Sequence, residues 1–422
     1  MPKIKLPYGK GFLYLDLPDS SINKVLRSRE FNIKKHETTV IRQALENPIS
    51  SPRLSNIAEK RKRMLLITSD HTRPMPSRIT IPLIINEAIS KNPDLKIVII
   101  IATGLHRTPT EDELIEKFGK KIVHKYSIIV HDARDKSNLT KLGLMSTGNE
   151  LWLNSIIKDV DLIVAEGFIE PHFVAGYSGG RKSILPGIAG YDTIMANHSP
   201  KNMDHPNARS GILENNPIHT EMCEAAKMSG LEFILNVVLD QRKTIVAGFS
   251  GSFKAAHEKG CTFLERYCQV EPAMADIVVV SNDGYPLDLN VYQGVKGMSV
   301  ASATCNEGGV IILVAECHDG FGHKNFYEMM ISGNSPEEVL KKIRSNYFNM
   351  IDQWQSQILA RILTKHSVII VSNNLNKKQV EKAHLKLAPD LEAALNMAYK
   401  ITGTISPVTV IPDGPRVIIK QY

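Results

Sequence analysis

A chain of 422 residues with 43% hydrophobic side chains has room for two or three domains and can fill large cores, which excludes a disordered polymer. Its formal charge of +7 is local: the first 64 residues hold 14 Lys and Arg against 6 Asp and Glu, and the remainder is near neutral, so no general basic face for nucleic acid is expected. No apolar run reaches bilayer length, and five cysteines without CxxC spacing suit reduced thiols in a cytoplasmic protein rather than a disulfide or zinc framework.

The opening segment MPKIKLPYGKGFLYLDL lacks the apolar core and cleavage site of a signal peptide. The basic run EKRKRM (59–64) has no base-stacking aromatics beside it and reads as a solvated segment ahead of a buried strand. Strands are predicted at 64–69, 96–102, 127–132, 161–168 and 233–240, with helices between them at 77–90 and 110–119. The second helix opens on Thr110-x-x-Glu113, a capping-box pattern. Near-continuous Val, Ile and Leu in the strands suit a parallel sheet covered on both faces, and their alternation with helices predicts an α/β fold. After a helical stretch at 253–268, QVEPAMA reads as a linker, and a second strand series follows at 276–282, 308–316, 367–372 and 408–412. The expectation is two α/β domains, 1–271 and 272–422, with mostly parallel sheets and an active-site cleft between them. The last strand is allowed to return to the first domain.

Polar residues gather just past the predicted strand ends, where parallel sheets place ligands. Asp70, His71, Thr72 and Arg73 follow the first strand, and His106 and Arg107 follow the second. The fourth is followed by FIEPHFVAGYSGGRKSILPG, which contains Glu170, His172, Arg181 and Lys182, and then by His198. In the second half, NDGYPLDLNVYQGVKGM brings Gln293 and Lys296 to one helix face. A single histidine is more often structural than catalytic, but four after strand ends argue for chemistry. The glycines can be read as a simple turn or as a loop whose N–H groups meet a phosphate. A Walker A loop is excluded because Arg181 stands where its second glycine belongs, and no GxGxxG follows a strand.

Together SDHTRP, TGLHR, EPHFVAGYSGGRKSILPGIAGYDTIMANHS, DGYPLDLNVYQGVKGM and DQWQSQILARIL resemble the nickel-pincer lactate racemase family, in order and over nearly the whole chain. The resemblance implies a nickel-bearing pyridinium mononucleotide with two sulfur-containing arms, one attached to a lysine as a thioamide. By motif position Lys182 would be the attachment lysine, His198 the nickel ligand, and His106 and His172 the acid/base pair. Asp70, His71, Thr72 and Arg73 would line the cofactor and substrate pocket, and Pro186 would touch the cofactor. Gln293 and Lys296 would reach the substrate carboxylate from the second domain, with Trp354 nearby. The first domain would hold the cofactor and catalysis. Separate maturation enzymes, as transient partners, would have to build the cofactor.

Chemistry supports the same residues. Removing the α-hydrogen of a 2-hydroxy acid as a proton builds charge beside a carboxylate, whereas hydride removal with deprotonation of the hydroxyl does not. Side chains accept no hydride, so a cofactor is needed. Histidines can serve as base and then acid near neutral pH. Arg73 and Lys296 suit a carboxylate, and nickel accepts imidazole and soft sulfur. Malate, 2-hydroxyglutarate or an aldonate are alternative substrates. A zinc hydrolase using His71, His106, His172 and His198 lacks its His-Glu-x-x-His signature, and a non-catalytic nucleotide-binding module would need no acid/base histidines.

Overall fold

The computed structural model describes residues 3–32, 35–345 and 350–420. Two six-stranded sheets organise them. In chain order their strands are β1 (Ile22–Val25), β2 (Arg63–Ser69), β3 (Lys96–Ala102), β4 (Ser127–Val130), β5 (Leu162–Phe168), β6 (Leu231–Leu239), β7 (Ile245–Gly251), β8 (Ala275–Ser281), β9 (Cys305–Val314), β10 (Ser367–Val371), β11 (Lys386–Ala388) and β12 (Val408–Ile411). The first sheet runs β7-β6-β5-β2-β3-β4 and the second β11-β10-β9-β8-β12-β1. Every neighbouring pair is parallel except β6 with β7. The predicted α/β architecture with mostly parallel sheets is thus observed.

Why these runs become central strands is visible in β5. All seven of its residues are buried, which only a strand covered on both faces allows. Each fully buried Val, Leu or Ile contributes roughly 1.5–3 kcal/mol relative to exposure. Register follows from the same packing, with Met64 opposite Leu162 and Ile67 opposite Ala165. The capping box is present: the Thr110 side chain accepts from Glu113 N–H at the start of helix Glu111–Phe118.

Strand order reverses between β2 and β5 in the first sheet and between β8 and β12 in the second. A crevice opens at the carboxyl ends wherever such a reversal occurs. Asp70–Arg73 leave β2 and His172 follows β5, so both stand at the first reversal. Helix Val291–Ser302, with Gln293 and Lys296, follows β8 at the second.

Two chain ends cross the division drawn from the sequence. β12 lies inside the second sheet, between β8 and β1, whereas the short strand Ile418–Ile419 after it pairs with Gln269–Val270, and Ile418 packs with Ile169 and Tyr177. β1 also joins the second sheet, although it lies within the stretch 1–271, and Ile4, Leu6 and Leu15 pack in the same cluster as Ile277 and Val279. The sequence Ile-Asn-Lys-Val carries no local signal for this, because parallel pairing is decided by a distant partner. No helix among the described residues is long and apolar enough to cross a membrane. The five cysteines are free.

Candidate active site

β2 ends with Ser69, and the chain turns sharply so that Asp70 is buried (1% exposed). One carboxylate oxygen accepts from Thr72 N–H at 3.0 Å and Thr72 Oγ1 at 2.6 Å. The other lies 2.6 Å from His106 Nδ1, on the loop after β3. Burial would raise the Asp70 pKa, but the hydrogen bond and charge of His106, with help from Thr72 and Arg73, hold it down to about 2. An ionised Asp70 fixes the proton on His106 Nδ1, which leaves Nε2 as the working nitrogen. The His106 side chain is 41% exposed, as a group that meets a ligand must be.

His172 sits in a two-residue ladder with Gly176, just past β5. Its Nδ1 accepts from Ala175 N–H at 3.2 Å and from Val174 N–H at 3.4 Å. The ring proton is therefore on Nε2, which lies 3.1 Å from Lys182 Nζ. An N–H facing the lysine needs a lone pair there, so Lys182 is a neutral amine in this arrangement. The surroundings agree. Burial, then Arg181, Arg73 and Lys296, push Lys182 well below the usual lysine range, against a weaker pull from Glu170. Burial, then the cations Lys296 and Arg73, push His172 well below the usual histidine range.

Arg181 explains part of this field. It is 1% exposed and forms no ion pair with a carboxylate among the described residues. Its guanidinium donates to the carbonyls of Ala175 (2.6 Å) and Gly179 (3.2 Å) and lies 2.9 Å from His257 Nε2. A buried cation without an anion raises the local potential beside Lys182. His257 and His219 were not singled out from the sequence, where each is a lone histidine in a helix.

The glycine loop does not have the phosphate-cradle geometry read as one option above. Gly180 N–H is taken by Asn236 Oδ1 at 2.8 Å, and Ser178 N–H by the Glu170 carbonyl at 2.9 Å. Gly179 has φ +80°, and a Cβ there would stand 2.9 Å from Asn236 Oδ1 and from the Phe168 carbonyl. These glycines are required by close packing of the chain on itself. Pro186 faces the His106 loop: its carbonyl oxygen is 3.5 Å from where a Gly104 Cβ would stand, and Gly104 N–H donates to the Gly187 carbonyl at 3.0 Å.

His198 ends helix Tyr191–Asn197 and is buried. Its Nδ1 donates to the Ile194 carbonyl at 3.1 Å, which fixes the tautomer and frees Nε2. Burial, the main cause, lowers its pKa to about 4, so Nε2 keeps its lone pair at neutral pH. Trp354, in the first turn of helix Gln353–Leu363, lies 5.3 Å from it, ring centre to ring centre.

From the second domain, Gln293 presents a buried Oε1 with no partner among the described residues, and Lys296 follows one turn later in the same helix. Burial, then Arg73, lowers the Lys296 pKa to about 8. Arg73 thus acts on Asp70, His172, Lys182 and Lys296 alike, and the described residues offer none of Arg73, Lys182 and Lys296 an ion pair. His71 Nε2 lies 3.7 Å from Glu113, and its buried Nδ1 has no hydrogen-bond partner among the described residues.

Two features escaped the sequence reading. Glu166, 1% exposed within β5, accepts from Thr68 (2.6 Å), Ser77 (2.5 Å) and Thr80 hydroxyls, and an acid inside an apolar strand was its signal. Asp352 joins Tyr292 Oη (3.0 Å) and His323 Nδ1 (2.8 Å) at the start of the Trp354 helix, a convergence of three distant segments that no local pattern marks.

No three His, Cys, Asp or Glu side chains converge as a metal set among the described residues. An ion at His198 would therefore need ligands from a separate group. A neutral Lys182 amine, a free His198 Nε2 and an unpartnered Gln293 oxygen fit a tethered, metal-bearing group.

Family models described as lactate racemase N-terminal domain and lactate racemase C-terminal domain match residues 8–211 and 270–419. The chain is 47% identical to the lactate racemase of Thermoanaerobacterium thermosaccharolyticum and 42% identical to that of Lactiplantibacillus plantarum, with all of each chain covered. The solved lactate racemase apoprotein from T. thermosaccharolyticum superposes with a TM-score of 0.96 at 47% identity over all of both chains. A Thermotoga maritima protein at 17% identity and TM-score 0.67, covering 93% of this chain and 99% of its own, shares the fold.

Proposed function

This chain belongs to the lactate racemase family and is an isomerase acting on a 2-hydroxy acid, and from that premise we propose that it interconverts L- and D-lactate in the cleft between its two sheets. The observation that carries this reading is the pairing of two differently supported histidines with unpaired cations. His106 is held by Asp70 and His172 by backbone N–H groups, while Arg73 and Lys296 lack acids.

Arg73 and Lys296 hold the substrate carboxylate from opposite domains, the first as a fork and the second as a point charge. Gln293 Oε1 accepts from the substrate hydroxyl or orders it. Lys182 would tether the nickel-pincer mononucleotide, His198 would ligate its nickel through Nε2, and Asp70, Thr72 and Pro186 would border it. When bound, that group supplies the hydride acceptor that side chains lack. His106 Nε2 takes the hydroxyl proton from one side as the hydroxyl becomes a carbonyl, and His172 does so from the other once its ring proton has left Nε2 for Nδ1; each returns the proton when the alcohol re-forms. With Lys182 acylated, the lone pair that receives the His172 Nε2 proton would be gone, and the ring would have to turn and shift that proton to Nδ1 before Nε2 could serve as base. C2 is planar at the carbonyl stage, and either hand of product can follow. The cofactor comes from separate maturation enzymes, whose contact with this chain is transient, and the setting is cytoplasmic.

Chiral chromatography of L-lactate incubated with matured, nickel-loaded protein tests the proposal. D-lactate should appear until the two hands are equal. Faster racemisation of malate, 2-hydroxyglutarate or an aldonate would move the substrate assignment and leave the chemistry in place.

A further inference from the structure

A cavity lined by none of the candidate-site residues lies where the segment after His198 meets the second-domain helices. It encloses about 740 Å³ between the segment following His198 and the distal ends of helices Val291–Ser302 and Gln353–Leu363. Four cations line it, Arg209, Arg344, Arg361 and Lys365, against two carboxylates, Asp204 and Glu337. Asp204 is engaged through Oδ2, while its Oδ1 is buried with no hydrogen-bond partner among the described residues and is faced by the charge of Arg361. Arg344 Nε donates to Oδ2 at 2.7 Å, and Arg361 Nη1 lies 3.6 Å from Oδ1 while donating to the Met203 carbonyl at 2.6 Å.

Arg209 and Lys365 are left over. Neither forms an ion pair with a described residue, and the buried Nε of Arg209 has no acceptor. A buried donor without an acceptor is costly, and an incoming oxyanion would remove that cost. Arg209 belongs to the first-domain side, whereas Arg361 and Lys365 belong to the second. We propose that this cavity binds a compact oxyanion, a phosphate group or a pair of carboxylates, through Arg209, Lys365 and the outer edge of Arg361. Guanidinium forks suit such oxygens, and the excess of cations over acids supplies the sign. A bound anion would tie the segment after His198 to the two helices that begin near Lys296 and Trp354.

Isothermal titration of the cofactor-free full chain with inorganic phosphate, and separately with malonate, tests this. The expected result is a saturable component that Arg209→Gln and Lys365→Glu each weaken about tenfold, the size of one lost charge-assisted hydrogen bond. Added salt should weaken it further, and Arg73→Ala should leave it intact. The anion that binds more tightly identifies the source of the oxygens. Lys365 is exposed, so Lys365→Glu reports on the site even if Arg209→Gln fails to fold. Absence of saturable binding, or binding that Lys365→Glu leaves unchanged, overturns the proposal.

Discussion

His172 Nε2 stands 3.1 Å from Lys182 Nζ, and the backbone N–H groups on the other side of the ring leave only one proton arrangement in which both atoms are satisfied. The imidazole donates and the amine accepts. Lys182 is thus held as a free amine at neutral pH, the form that attacks an acyl carbon.

Lys182 should therefore be acylated ahead of the exposed lysines when the cofactor-free chain meets limiting acylating reagent at pH 7, if the reagent is small enough to enter. On matured protein, Lys182→Ala should lack the covalent adduct entirely and lose all activity. Peptide mapping and intact mass read both outcomes. An unchanged adduct in Lys182→Ala would place the tether elsewhere.

His198→Ala should lose nickel and keep the adduct, because tether and protein ligand are separate side chains on separate elements. Elemental analysis after desalting, beside intact mass, distinguishes the two. Full nickel occupancy with normal turnover would remove His198 from the metal site.

Lys296 should make substrate capture sensitive to alkaline pH. Burial, then Arg73, brings its pKa to about 8, so the charge that holds the carboxylate is present below that value and lost above it. kcat/KM, which reports the free enzyme, should fall as pH rises through about 8. Lys296→Ala should cost roughly 1.5–3 kcal/mol in kcat/KM at pH 7, mostly through KM. Lys296→Arg, charged throughout this range, should abolish the alkaline break. Persistence of the break in that variant would assign it to another group.

Elements with a strong local period were legible in the sequence. The apolar strands Arg63–Ser69, Lys96–Ala102 and Leu162–Phe168, and the Thr110 cap, are all where pattern places them. So was the clustering of Asp70, His106, His172 and Lys182 past strand ends. What pattern does not reveal is pairing between distant segments. Ile22–Val25 joins the second sheet through Val408–Ile411, and the hairpin of Leu139–Leu144 with Glu150–Asn154 is too short to stand out. The glycine loop misled for a related reason. Sequence shows that Cβ is missing but not what fills the space, which here is Asn236 and the Phe168 carbonyl.

Acid should destabilise the fold well above the carboxylate range. His219 is buried, and burial, then Arg181 and Lys254, lowers its pKa to about 3, against about 6.5 when unfolded. The unfolded chain then binds the proton more readily. The stability is full above about pH 6.5 and is lost progressively as pH falls toward 3. At pH 5 this single group costs on the order of 2 kcal/mol. His219→Gln should narrow the gap in thermal midpoint between pH 7 and pH 5. An identical gap in wild type and variant would show that other groups carry the acid sensitivity.

His106 and His172 should divide the two hands of substrate between them. With the carboxylate fixed and the α-hydrogen aimed one way, the hydroxyl of L-lactate and that of D-lactate must point to opposite sides. A base is needed on each side, and the two candidates differ in support. His106 leans on the ionised Asp70, whereas His172 leans on backbone N–H groups and must turn and shift its ring proton to Nδ1 before Nε2 can serve as base. Each would act as base for one enantiomer and as acid for the other. Replacing either by alanine should therefore block the full cycle in both directions, since each direction uses both. One half-reaction should survive in each variant. Single-turnover spectroscopy of loaded His106→Ala and His172→Ala, with each enantiomer separately, should show opposite preferences. Asp70→Asn should weaken the His106 side alone, by about 100-fold if general-base catalysis there is lost. Equal loss for both enantiomers in both alanine variants would instead mean that the two histidines share a structural task and that the proton is handled elsewhere.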